Sequence, residues 1–333
     1  MTSIILNNPL ISVIIPTFNH GDYIEKAIDS VLQQSYKELE IIVVDDGSTD
    51  NTAGIILKYG ERIKYIRQRN GGGNAARNRG IRESRGELLA FLDADDYWIQ
   101  DKLAKQIPEI IREESVGIVG CGYFVIDVAG NIIKGPVIRS NYRTREELYN
   151  ALTTGQIIPA SASGALIRKQ CFRDVGEFDE TLKMGQEWDM WLRLTKIYHA
   201  SFIQEPLVCI RFGSSVVKRQ DITVKGSALT GPKKEEYYVK LIIEKNVPKE
   251  KQRRAFSSLF YRLASDYLSL GNRMEAMKYL LKSVYLRPLC LFPRDKTGTY
   301  NYPKDLRYYL ILKSMIPVYV IKKIKEWHDI EKR

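Results

Sequence analysis

Apolar and polar positions change period in blocks along the first ninety residues. "ISVIIPTFN" (residues 11–19) is a near-continuous apolar run, the pattern of a strand buried on both faces. "GDYIEKAIDSVLQQS" then sets Ile24, Ala27, Ile28, Val31 and Leu32 at helical spacing. "LEIIVVDDGSTDNT" is a second strand ending in carboxylates and turn residues, and "TAGIILKYG" returns to helix. "RIKYIRQ", "NAARNRGIRESRG" and "ELLAFLD" follow as strand, short helix and strand. The alternation predicts an α/β fold, a mostly parallel sheet covered by helices on both faces. Ligands bind such sheets beyond the carboxyl ends of the strands. Asp45–Asp46 and Asp93–Asp95 stand at two such ends, so two acidic loops are expected to face one crevice.

Further along, residues 117–127 and 157–168 read as strands. "GQEWDMWLRLTKIY" reads as a helix with Trp188, Trp191, Leu192 and Leu194 inward, and "ASFIQEPLVCIRF" as a closing pair of strands. The expected organisation is a main domain over 1–215, a polar, basic linker over 216–234 and a smaller helical region over 235–333. Within that region, "FYRLASDYLSLGNRMEAMKYLLKSVYLRP" carries Ala264, Gly271, Ala276 and Pro288 at the offsets of a tetratricopeptide-type hairpin. One unit cannot build a solenoid, so a helical hairpin packed on the main domain is the expectation. The final "YYLILKSMIPVYVIKKIKEWH" is interrupted by Lys313 and Pro317 and falls short of the about 20 apolar residues that span a bilayer. Its Tyr308, Tyr309, Tyr319, Trp327 and the cluster Lys322, Lys323, Lys325 predict an interfacial helix; the alternative is that its apolar side covers the core.

Charge sharpens this division. The net charge of +11 is uneven: residues 1–215 hold 25 Lys and Arg against 28 Asp and Glu, and residues 216–333 hold 26 against 12. The basic third suits an anionic partner, nucleic acid or lipid by composition alone. With the terminal helix, an anionic membrane surface is the expectation, and no nucleic acid. Cys121, Cys171, Cys209 and Cys290 lie far apart with no metal-ligand or redox spacing, which favours a reduced compartment. Three histidines, His20, His199 and His328, exclude a His-rich metal site. "MTSIILNNPLISVIIPTFNH" has no basic start or cleavage motif and reads as the first core strand, not a signal peptide. The expected location is cytoplasmic, peripheral at the inner face of the membrane.

The chemistry concentrates in "FLDADDYW". Acids two residues apart after a strand can face one ligand, and hard cations such as Mg²⁺ or Mn²⁺ take one or two carboxylates plus phosphate oxygens. A cation there makes a diphosphate a better leaving group. Asp96 is expected to cap the helix in "YWIQDKLAKQI". A rival reading takes "GGGNAA" (Gly71–Ala76), with Asp93 further on, as a dinucleotide fingerprint. It does not follow the first strand, and the next helix carries four arginines, so a dinucleotide-dependent oxidoreductase is the lesser alternative.

"SVIIPTFNHGDYIEKAIDSVLQQSYKELEIIVVDDGSTDNT", "RNGGGNAARNRGI", "LAFLDADDYW" and "GQEWDMWLRL" together resemble the family 2 inverting glycosyltransferases of the GT-A fold, over about residues 10–212. The resemblance implies a nucleotide-sugar donor, most often a UDP-sugar, and a hydroxyl of a glycan or lipid-linked molecule as acceptor. It implies that Pro16, Thr17 and Asn19 line the nucleotide pocket. Asp46 would meet the base, with Asp45 supporting the turn, and Arg77 and Asn78 would border nucleotide and sugar. Asp93 would contact the ribose or sugar, and Asp95 would ligate the Mg²⁺ or Mn²⁺ that bridges the diphosphate. Glu187 stands where the family carries its catalytic base. A carboxylate there takes the acceptor's proton as the hydroxyl attacks the anomeric carbon opposite the diphosphate. Asp189 is the alternative base, but it points about 200° away on the same helix, so only one of the two can face the acceptor. The chain departs from the pattern in two ways: Gln186-Glu187 replaces the commoner Glu-Asp, and Gly213 stands where many relatives carry a His. A non-catalytic scaffold that docks on membranes is a further alternative.

Overall fold

The structure, a computed structural model, describes residues 8–139, 141–160, 162–213 and 231–286. The amino-terminal half alternates as its periodicity predicts. Strand β1 (Ile11–Thr17), helix α1 (Ile24–Leu32), β2 (Leu39–Asp45), α2 (Thr52–Leu57), β3 (Lys64–Arg67), α3 (Gly73–Glu83) and β4 (Leu88–Phe91) follow one another. β1 is buried along its whole length because it is central, with β2 parallel on one side and β4 parallel on the other. β3 extends the parallel half beyond β2. Thr17 stands opposite Asp45, and the Asp46 amide donates to the Thr17 carbonyl at 2.8 Å. Across the other edge, the Leu92 amide donates to Ile14 O at 3.0 Å. The three strand ends therefore lie side by side, and so do the loops that leave them.

Beyond β4 the sheet becomes mixed. The remaining elements are β5 (Tyr97–Trp98), α4 (Lys102–Arg112), β6 (Val116–Ile126), β7 (Ile132–Val137), α5 (Arg145–Leu152), β8 (Leu166–Arg168), α6 (Lys169–Val175), α7 (Gln186–Thr195) and β9 (His199–Arg211). The sheet order is β3-β2-β1-β4-β8-β6-β9-β5, with β7 beside β6. β8 runs antiparallel to both β4 and β6, β5 antiparallel to β9, and only β6 and β9 pair parallel. The expectation of a mostly parallel sheet thus applies to the first four strands. After them the regular strand–helix alternation ends, and with it the crossover helices that parallel neighbours need. The expected closing pair of strands is one strand, β9, whose register against β6 shifts at Cys121–Tyr123. Of the strand expected over 157–168, only Leu166–Arg168 forms.

Two side-chain sets flank β1. Ile11, Val13 and Ile15 pack with Ile24, Ala27, Ile28 and Val31 of α1 and with Trp98 and Leu103. On the other face α3 lies hard against the strand: a Cβ at Gly80 would come 2.3 Å from Ile14 Cγ2. That approach brings the polar side of α3 up to the strand ends. Cys121, Cys171 and Cys209 are free and buried.

The described chain divides into two compact units, the sheet with its helices and, separately, the carboxyl-terminal helices with Thr153–Gly155. In the second unit α8 (Gly231–Asn246) is followed by α9 (Lys249–Ser269) and α10 (Arg273–Leu286). α9 and α10 form a hairpin that turns at Gly271, which has a φ of +76°; Tyr267 stacks on Tyr279 at 5.3 Å, and Ala264 and Ala276 are buried. Residues 231–234 of the expected linker are helical; the rest of it, Pro288 and the expected interfacial helix lie outside the described residues. No helix among the described residues is long and apolar enough to cross a membrane.

Candidate active site

A cleft opens over the ends of β1, β2 and β4, lined by Pro16, Thr17, Phe18, His20, Asp46, Gly73, Ala76, Arg77, Asp93, Ala94 and Asp95. Six of the residues singled out from the sequence, Pro16, Thr17, Asp46, Arg77, Asp93 and Asp95, are among them. Asp46 lines the cleft with its carboxylate engaged: Oδ1 accepts from Gln68 Nε2 at 2.8 Å and the Gly71 amide at 2.9 Å, and Oδ2 from the Gly72 amide at 2.7 Å. The turn after it requires glycine, since Gly47 has a φ of +84° and a Cβ there would lie 3.1 Å from the Asn70 nitrogen. The dinucleotide reading of "GGGNAA" fails at this point. A loop that cradles a pyrophosphate keeps its amides for the ligand, and here two of them hold the chain's own carboxylate.

Asp45 and Asn19 are not in the cleft lining. Asp45 is fully buried; it accepts from the Ser48 amide and from the Tyr65 hydroxyl, both at 2.8 Å. Burial and then this carboxylate push the Tyr65 hydroxyl up to about 12. Asn19, in the left-handed region at φ 55°, accepts from the Thr49 amide at 2.7 Å and donates its own amide to Ser48 Oγ at 2.9 Å. These two residues tie the β1 and β2 loops together.

The three acids of the β4 loop differ in surroundings. Asp93 and Asp95 face the cleft. Asp96 is buried, accepting from Ser163 Oγ at 2.7 Å and from the Arg211 amide at 3.0 Å. Loss of solvent, followed by the charges of Asp93 and Asp95, holds its carboxyl well above the usual carboxylate range. It caps no helix, contrary to expectation: Tyr97–Trp98 form a strand, and α4 begins at Lys102 with Asp101 at its N-cap. Ser163 also receives the Asp93 amide at 3.1 Å, and Arg211 Nε donates to the Asp95 carbonyl at 3.1 Å, so the loop is held from beneath and from the side.

Arg77 connects the cleft to α7. Its Nη2 donates to Asp93 Oδ1 at 2.8 Å and lies 3.2 Å from Glu187 Oε1. Burial opposes the charge, but Asp93 and Glu187 outweigh it and the guanidinium's pKa is raised. Asn78 is absent from the cleft lining. Its Nδ2 donates to Phe178 O and Glu180 Oε1, and its Oδ1 accepts from the Phe178 amide. With Asn74 donating to Asp179 O and Arg82 paired to Glu177, the polar side of α3 holds residues 177–180, the approach to α7.

Gly185, left-handed at φ 71°, starts α7 and sets Glu187 in its first turn. Asp189 turns the other way, fully buried, with Arg193 Nη2 at 2.8 Å; Arg193 also donates to the carbonyls of Val175, Gly176 and Glu177. Of the two acids only Glu187 reaches Arg77. Breaking a buried pair strands its partner's charge, so Asp189→Ala is expected to lower unfolding stability by about 3–5 kcal/mol in urea titrations. A loss under about 1 kcal/mol would remove Asp189 from the framework that supports this helix.

Phe18, His20 and Ala94 also line the cleft and were assigned no role in the sequence, and Gly73 and Ala76 entered only through the dinucleotide reading. For Phe18 and His20 a signal existed, since they directly follow the end of the central strand. Gly73 and Ala76 lie inside the "GGGNAA" match, which marked this loop although the dinucleotide reading of it fails, and Ala94 sits between Asp93 and Asp95.

Residues 12–176 match the model of glycosyl transferase family 2. An uncharacterized glycosyltransferase of Rickettsia typhi is 35% identical over 204 residues, which is 60% of this chain and 63% of that protein. The putative teichuronic acid biosynthesis glycosyltransferase TuaG of Bacillus subtilis is 44% identical over 119 residues, covering 34% of this chain and 47% of TuaG. The chain therefore spans less than two thirds of the length of either relative. Among solved structures, S. aureus TarS 1-349 in complex with UDP aligns with a TM-score of 0.52 at 19% identity, over 89% of this chain and 97% of that one. That likeness is one of fold, the GT-A fold. The family match across the strands that build the cleft, together with these relatives, identifies residues 12–176 as a domain of glycosyl transferase family 2.

Proposed function

We propose that the chain is an inverting glycosyltransferase that moves a sugar from a UDP-sugar to a hydroxyl of a glycan or lipid-linked acceptor. The observation that carries this reading is the Arg77 bridge, a single guanidinium touching both Asp93 in the cleft and Glu187 beside it. A proton acceptor thus stands next to a pocket walled by strand-end acids. UDP as the nucleotide is supported by the TarS complexes with UDP and with UDP-GlcNAc, which share the fold. A glycan acceptor is supported by the relative named for teichuronic acid biosynthesis.

In this reading Pro16 and Thr17 wall the nucleotide, Asp46 and its glycine loop meet the base, and Asp93 meets the ribose or sugar. Asn19, Asp45 and Asn78 act through the loops they hold. Glu187 takes the proton of the acceptor hydroxyl as its oxygen bonds to the anomeric carbon from the face opposite the diphosphate. The bond to the diphosphate breaks with its electron pair leaving on the phosphate oxygen, and the configuration inverts. The donor set also fits Mg²⁺ or Mn²⁺. Asp93 and Asp95 are hard oxygen donors on one cleft, and among the described residues no group of three or more metal-ligating side chains could hold an ion by itself. Asp95, with Asp93 beside it, would hold the ion jointly with the donor's phosphates. A cation so bound neutralises charge on the leaving diphosphate. Peripheral contact with an anionic membrane at its cytoplasmic face belongs to the same proposal, supported by the 26 basic against 12 acidic residues after residue 215.

The direct test is a panel of UDP-, GDP- and dTDP-sugars scored by thermal shift and by release of the nucleoside diphosphate. UDP-sugars are expected to raise Tm and to be hydrolysed slowly without acceptor. If none of the panel raises Tm or is turned over, the transferase reading is wrong.

A further inference from the structure

Two buried polar atoms on the β1 side of the cleft, Thr17 Oγ1 and His20 Nδ1, have no hydrogen-bond partner among the described residues. An unmet buried polar group costs about 1–3 kcal/mol, so such atoms in a cleft wall indicate contact with a ligand. Thr17 walls the nucleotide in the proposed function; His20 lines the same cleft and takes no part in that function so far. Its backbone is fixed on both sides: the amide donates to Thr52 Oγ1 at 3.0 Å, and the carbonyl accepts from the amides of Tyr23 and Ile24. The main chain that carries the imidazole is therefore held in place, and the ring can turn its unpaired Nδ1 towards a ligand.

Its neighbours locate it within the cleft. The ring lies 6.3 Å from that of Tyr23, and Arg211 stacks on Tyr23 at 4.7 Å while donating to the Asp95 carbonyl. His20 lines the same cleft as Asp93 and Asp95, and Tyr23 and Arg211 join its side of the cleft to the Asp95 loop, the part assigned to the phosphates. Building on the proposed donor site, we infer that His20 is a ligand-contacting residue, donating from Nδ1–H to a phosphate oxygen of the bound nucleoside diphosphate.

The test is calorimetry on the full chain with uridine, UMP and UDP. His20→Ala is expected to weaken UDP about tenfold, the size of one hydrogen bond to a charged group, and to leave uridine unchanged. His20→Asn carries an N–H close to the Nδ1 position and is expected to retain most of the UDP affinity, whereas His20→Gln, which reaches further, loses it. The Asn and Gln pair answers the question even if the alanine variant does not fold. Equal losses for uridine and UDP, or an unchanged UDP affinity in the Ala or Gln variant, overturn the assignment while the donor site stands. If the wild-type chain binds none of UDP, GDP or dTDP, the donor site and the His20 contact fall together.

Discussion

Glu187→Gln is expected to abolish sugar transfer and to leave UDP affinity at its wild-type value. The substitution keeps the length of the side chain and an oxygen that can still accept from Arg77 Nη2, which lies 3.2 Å from Glu187 Oε1. Arg77 retains its bond to Asp93, so the wall of the cleft is unaltered. What disappears is the capacity to take a proton, because an amide cannot serve as the base. A positioned general base contributes about 10²- to 10⁴-fold, and the rate is expected to fall by that range in single-turnover assays with saturating donor. Asp189 cannot take over, since it is fully buried against Arg193 on the far side of the helix. Transfer within about tenfold of wild type would remove Glu187 as the base. A parallel loss of UDP binding would make it part of the donor site instead.

The second large effect is in affinity. Asp95→Ala is expected to erase the difference between UDP binding in Mg²⁺ or Mn²⁺ and UDP binding in EDTA. The loop itself should survive, because contacts other than the Asp95 side chain hold it: Arg211 Nε donates to the Asp95 carbonyl, the Asp93 amide to Ser163 Oγ, and the Arg211 amide to the Asp96 carboxylate. The alanine therefore removes a ligand oxygen without unmaking the turn. In wild type the cation should tighten UDP by at least tenfold, since it offsets the repulsion between two carboxylates and a diphosphate. If the variant still binds UDP more tightly with the cation present, Asp95 does not hold the metal.

The parts of this site legible in sequence were those written in short runs. Apolar strands that stop at acids, "IIVVDD" and "LLAFLDADD", mark the cleft because a parallel sheet presents its strand ends together. What stayed hidden depends on partners far along the chain. Asp96 reads as a helix cap locally, but its partners Ser163 and Arg211 are 67 and 115 residues away. The helix α3 reads in sequence only as short and rich in arginine, yet Asn74, Arg77 and Asn78 are buried, their polarity matched by the 177–187 segment. Lys102 likewise is wholly inside, above the Trp98 ring and bonded to Gln106, with burial pushing its pKa down to about 8. β5 and β8, two and three residues long, are too short for any periodicity to register.

The polar seam between α3 and residues 177–187 also decides how this chain could be recombined with a relative. A chimera joined just after β4 would keep β1 to β4 with α3 from one parent and take Glu187 from the other. Arg77, Asn78 and Arg82 would then face a foreign partner surface, although each half alone would look intact. Either α3 has to travel with the segment it grips, or residues 177, 178, 180 and 187 have to be matched to it. The inheritable module is therefore not the first half or the second, but the pair of elements that meet across that seam.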